Sequence, residues 1–73
     1  MRVYAIYNSP LDFPGQFVVR GYLVTDEGKM VTDLKPTAVV DDLDAARKAV
    51  PATNHIRCNR MPQDVLSLVE TWI

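Results

Sequence analysis

Apolar and polar residues recur with two different periods along this chain, and the change of period marks a short helix between stretches of strand. Residues 2–7, Arg2-Val3-Tyr4-Ala5-Ile6-Tyr7, are rich in β-formers and predict a first strand. Asn8-Ser9-Pro10 ends it, and Pro14-Gly15 closes a polar loop. Residues 16–25, from Gln16 to Thr25, carry the strongest strand pattern, with Gly21 marking a bulge or a close backbone approach. Asp26-Glu27-Gly28 is a hairpin turn in which Gly28 can take positive φ. Lys29–Thr32 returns as a shorter strand, and Thr37–Val40 adds a few extended residues after the break at Lys35-Pro36.

The period then lengthens. Leu43, Ala46 and Val50 stand at i, i+3 and i+7, which predicts a helix over residues 42–50 with that stripe against a sheet. Asp41 is placed to act as N-cap, Asp44 to fill the capping-box position, and Val40 with Ala45 to form a hydrophobic staple. Arg47 and Lys48 near the C-terminal end suit the helix dipole and are expected to face away from the sheet or edge it. Pro51 stops the helix by disfavouring α geometry at Val50. Beyond the connector Ala52-Thr53-Asn54, residues 55–60 alternate and predict another strand, and Met61–Asp64 is a second break. The last segment reads two ways. Val65, Leu66, Leu68, Val69, Trp72 and Ile73 form a helical stripe that Asp64 could cap, whereas Val-Glu-Thr-Trp-Ile is strand composition.

These elements define one domain, residues 1–73, of α+β class: a small, mainly antiparallel β-sheet of about 4–5 strands with one short helix packed on one face. The expected core is Val3, Ile6, Phe17, Val19, Leu23, Leu43, Ala46, Val50, Ile56 and Cys58. The second strand is apolar on both parities, with Phe17, Val19 and Leu23 on one side and Val18, Tyr22 and Val24 on the other. A sheet with one wet face alternates more cleanly. The second face is therefore expected to be covered, by the C-terminal segment or by another subunit.

Composition narrows the function classes. A 73-residue chain buries only about 60% of its unfolded surface, so its core is small. Cys58 is the only cysteine, which excludes an internal disulfide staple and favours a homodimer as a source of stability. The formal net charge is −1, and no run of like charge exceeds two residues, so nothing marks the whole chain as a nucleic-acid or membrane-surface binder. No apolar run approaches the roughly 20 residues of a membrane span, and the N-terminal one is too short for a signal peptide. A cytoplasmic protein is the expectation.

Candidate chemistry is sparse. His55 and Cys58, the only residues of their kinds, lie three apart; on a strand that puts them on opposite faces and argues against a nucleophile–base dyad. Two such ligands are too few for a structural zinc site. Asp41, Asp42 and Asp44 are explained by capping rather than by a cation, because no calcium-loop spacing follows them. Gly15, Gly21 and Gly28 fit no phosphate-binding loop, and no serine sits in a G-x-S-x-G context. Asp26-Glu27 belongs to a turn tip. Trp72 reads as core or as an interface anchor, and Tyr4 and Tyr7 share that ambiguity. No catalytic, cofactor-binding or metal-ligating residue is assigned, and no cofactor is expected. Arg20 near Tyr22, with Arg57 and Arg60 flanking Asn59, is the one arrangement that suggests nucleic acid, because arginines and aromatics on a sheet hold phosphates and stack bases. It lacks an RNP-like aromatic motif.

The segments Tyr4-Ala5-Ile6-Tyr7, Phe17-Val18-Val19-Arg20, Asp42-Leu43-Asp44-Ala45-Ala46-Arg47, Val50-Pro51 and Val69-Glu70-Thr71-Trp72-Ile73 together span most of the chain. In them it resembles a family of small bacterial and phage or prophage proteins of unassigned function. The resemblance implies a bacterial or phage accessory protein and a terminal strand, and brings no activity, ligand or catalytic residue. The expected function is a non-enzymatic protein–protein interaction module acting through a sheet edge or the second sheet face. The alternatives are a nucleic-acid-binding accessory module using Arg20, Arg57 and Arg60, and a small enzyme using His55 or Cys58.

Overall fold

A computed structural model describes residues 1–73. The elements are β1 (Arg2–Asn8), β2 (Phe17–Val24), β3 (Met30–Thr32), β4 (Ala38–Val40), α1 (Leu43–Ala49), β5 (Arg57–Asn59) and β6 (Leu68–Trp72). All six strands join one antiparallel sheet in the order β3-β2-β1-β6-β5, with β4 also on the outer edge of β2. The fold is thus the expected small α+β arrangement.

The N-terminal strand lies at the centre. On one side β1 pairs with β2 in unbroken register from Arg2↔Leu23 to Asn8↔Phe17. On the other it pairs with β6, with a register shift between Ile6 and Tyr7. This placement resolves the two readings of the C-terminal segment in favour of a strand over Leu68–Trp72. Had that segment been helical, one edge of β1 would have kept a row of unpaired backbone N–H and C=O groups beside a buried core, which is costly. The outer edge of β2 is shared: β3 pairs with Tyr22–Val24 and β4 with Phe17–Val19.

Gly21 marks a close approach rather than a bulge, since the β1–β2 register runs through it without interruption. It lies opposite Tyr4. A Cβ there would stand 2.5 Å from Asp33 Oδ2, 2.7 Å from Arg2 Nη2 and 3.2 Å from Tyr4 Cε2. The missing side chain makes room for a stack in which Arg2 pairs with Asp33 and lies over the Tyr4 ring, 5.6 Å from its centroid.

The helix is shorter than residues 42–50 and starts one residue later than expected. Asp42, not Asp41, is the N-cap; its carboxylate accepts from the Ala45 N–H at 2.7 Å. That shift moves Asp44 off the capping-box position and separates Val40 and Ala45 from the staple positions. Asp44 instead pairs with Lys48 one turn on, at 3.1 Å in solvent. The expected stop holds: Val50 has ψ 130° ahead of Pro51.

Tyr4, Ile6, Val19, Ala46 and Val50 form the core between sheet and helix, flanked by partly buried Phe17, Ala38, Val40, Leu43, Ala49, Val69 and Trp72. Three expected core residues lie elsewhere. Leu23 is 41% exposed because it pairs with β3, beyond the reach of the helix, which contacts β4 and β2. Ile56 is 54% exposed because it sits at the end of an edge strand, where its backbone exchanges bonds with Ile73. Cys58 is half-buried on that same edge strand. Val3 is buried, but on the face away from the helix, as strand parity requires.

The buried polar residue is Glu70 of β6, 3% exposed and opposite Ile6. Arg47 of the helix reaches over and holds it with two bonds, Nε to Oε2 at 3.0 Å and Nη2 to Oε1 at 2.8 Å. The Trp72 indole N–H donates to Oε2 at 2.8 Å, and Arg57 of β5 stands 4.0 Å from Oε1. Arg47 therefore edges the sheet, as expected, and in doing so ties helix to strand. These bonds from Arg47, with the Trp72 bond added, hold the Glu70 carboxyl below its ordinary pKa of 4.5 against the opposing effect of burial. A depressed pKa in the folded state adds stability above the unfolded value, and that stability is lost as pH falls through the folded one. Unfolding midpoints in urea are expected to fall steeply below pH 4.5, and less so in Glu70→Gln. Arg47→Ala, which leaves a buried carboxylate without its main partner, is expected to lower the urea midpoint at neutral pH.

Candidate interaction surface

With the helix on the Ile6 and Val19 side, every other strand residue points to a face on which no helix or strand packs. Cross-strand register assigns its occupants: Val3, Ala5 and Tyr7 from β1; Val18, Arg20, Tyr22 and Val24 from β2; Thr71 and Cys58 from β6 and β5; Val39 from β4; and Met30 and Thr32 from β3. Arg20 is the only charged residue among them. The C-terminal segment, expected as a cover for this face, is instead a strand within the sheet.

Val3, Ala5 and Val18 are nonetheless buried, at 7%, 4% and 0% exposure. Tyrosine side chains account for this. Tyr7 lies opposite Val18 and Tyr22 opposite Val3, so the two are diagonal neighbours about 13 Å apart along the strands, with the small Ala5 in the row between. Their hydroxyls meet at 2.5 Å, which requires both rings to lie down along the sheet and point toward each other. Burial, then the bond with Tyr22, raises the pKa of Tyr7 above its ordinary value of 10. Arg20, on the row between them, pairs with Asp12 of the β1–β2 loop. The one charged group of the face and its two tyrosine hydroxyls are thus each paired.

The sequence-derived candidates separate. Arg20 lies on this uncovered face. Arg57 pairs in register with Trp72 and so lies on the helix side, near Glu70. Arg60 turns into its own loop, where Nη2 donates to the Asp64 and Val65 carbonyls at 3.0 and 3.3 Å. No common arginine patch forms. His55 is exposed ahead of β5, its Nδ1 3.3 Å from the Thr53 carbonyl, while Cys58 sits within the sheet opposite Thr71. Asp41, Asp42 and Asp44 gather no further His, Cys or acid into a group of metal-binding size. The structure has no pocket. Trp72 and Tyr4 belong to the helix-side core, whereas Tyr7 belongs to the open face. The Tyr7–Tyr22 contact escaped the sequence reading, although equal parity across a β1–β2 hairpin with alanine between them is its signature.

Comparison with family models, curated proteins and solved structures finds no match for this chain.

Tyr22→Phe removes the hydroxyl partner of Tyr7 and is expected to destabilise the fold by about 1 kcal/mol in urea titration, with Tyr7 ionising at lower pH by tyrosinate absorbance. The raised pKa adds stability below pH 10, the ordinary tyrosine value, and that stability is lost as pH rises through the folded value. A wild-type protein whose tyrosines all titrate together contradicts the pairing.

Proposed function

We propose that this chain is a non-enzymatic protein–protein interaction module, an accessory protein of bacterial or phage origin working in the cytoplasm. The observation that supports it is the sheet face that no element covers and whose strands present one charged residue, itself paired. A face left to water for good is normally polar; this one alternates small aliphatics with tyrosine, a side chain favoured at interfaces because it buries much area with few rotatable bonds. The bond between the two tyrosine hydroxyls lowers the cost of covering it, since each already has a partner. The nucleic-acid reading loses support with the separation of Arg20, Arg57 and Arg60, because a phosphate track needs cations on one surface. The small-enzyme reading loses it with His55 outside the sheet and Cys58 within it. No helix is long and apolar enough to cross a membrane.

Immobilised wild-type protein is expected to retain a stoichiometric protein partner, another copy or a different chain, from a bacterial extract. Thr71→Arg, which places a charge on the uncovered face, is expected to abolish retention. Retention of single-stranded nucleic acid in place of protein, lost on Tyr22→Ala, contradicts the proposal and restores the alternative.

A further inference from the structure

We infer that the uncovered sheet face is the interface of a symmetric homodimer, formed by a second copy of this chain laid face to face on Tyr7, Tyr22, Val24, Val39 and Thr71. The inference rests on the interaction-module reading and specifies its partner.

The six strands hold 29 residues, each covering about 4.8 by 3.3 Å of the sheet plane. The face is thus about 460 Å² in projection, and side-chain relief brings it near the roughly 600 Å² per partner of the smaller specific interfaces. Face-to-face packing of sheets is an established way to close a core, with inner faces about 10 Å apart.

An isologous contact brings each patch against its own copy, so a patch rich in one sign repels itself. Here the strand residues contribute one cation, Arg20, neutralised by Asp12 of the same chain. The charges of the sheet lie on the other side: Arg2, Arg57 and Glu70 all share parity with Tyr4, Ile6 or Trp72. A nucleic acid or a strongly charged protein finds no counter-charge on the open face, whereas a second copy needs none.

Only ten of the 73 residues are buried, and no disulfide can form. A domain of this size gains most from a second layer, and the open face is where the chain can acquire one. The floor beneath Tyr7 and Tyr22 is already dry, so dimerisation adds the tyrosine rings, Val24, Val39 and Thr71 to a core that exists. The copies then meet as folded subunits.

Sedimentation of the purified full chain across micromolar concentrations tests the inference. Wild type is expected at twice the 8.2 kDa chain mass and Thr71→Arg at the single-chain mass, its association weakened about tenfold or more by an unpaired charge at the interface. Lys48→Glu, on the helix at 78% side-chain exposure, is expected to leave the dimer intact. Cys58, the sole thiol, lies on the same face, so its alkylation by iodoacetamide is expected to slow with concentration in wild type and not in Thr71→Arg. Trp72 fluorescence, on the helix side, reports whether Thr71→Arg is folded; if it is not, Val39→Arg on the same face takes its place. Wild type that is monomeric at every concentration overturns the dimer, and so does a dimer that survives both arginine variants with Cys58 equally reactive. Monomeric wild type that still captures a different protein through Thr71 overturns the dimer alone and leaves the interaction module standing.

Discussion

The Glu70–Arg47 pair fixes which side of this sheet is inside. Glu70 stands on the second strand from the sheet's edge, and Arg47 stands on the only helix. Leu43, Ala46 and Val50 supply the apolar attraction that brings the helix down, but such a stripe is non-directional. The two-pronged guanidinium bond to a carboxylate with 4% side-chain exposure supplies direction, because only one placement of the helix satisfies it. Trp72 closes the remaining side of the carboxylate and joins the core through its ring. With the Arg47 side chain 38% exposed, this ion pair is weak support for stability as such. Its contribution is to register.

Everything on the opposite face follows from that placement. With one helix committed to the Ile6 and Val19 side, the chain has no second element to lay over Val3, Ala5 and Val18. It covers them with side chains instead. Tyr7 and Tyr22 lie down along the sheet, and Arg20 is held between them by Asp12. The result is a dry floor under a thin, neutral, internally bonded cover. Such a surface carries no unpaired charge and costs little to bury, as an association surface requires.

Much of this was legible in the sequence, and the parts that were not share a cause. The β-former run of Arg2–Tyr7, the strand pattern of residues 16–25, the Asp26-Glu27-Gly28 turn and the stop at Val50-Pro51 are local signals, and each appears where the local pattern puts it. The helix start slipped by one residue because Asp41 and Asp42 are equally good caps in isolation, and packing of Leu43 decides between them. The C-terminal segment was ambiguous because its fate depends on β1, some sixty residues away in sequence, having a free edge to pair. The long-range contacts were the ones hidden. Nothing near Glu70 in sequence announces Arg47, and the matched parity of Tyr7 and Tyr22 becomes a contact only once β1 and β2 are in register. Arg20, Arg57 and Arg60 look clustered in type but fall on different surfaces, because strand parity and a loop separate them.

The claim that the uncovered face is an association surface is tested most directly by backbone amide chemical shifts followed through a dilution series of the full chain. An association surface there gives concentration-dependent shifts at Tyr7, Tyr22, Val24, Val39 and Thr71, with Ala46 and Arg47 on the helix unmoved. Shifts confined to the helix or to the loops, with the Val3–Val18 face silent, would contradict it.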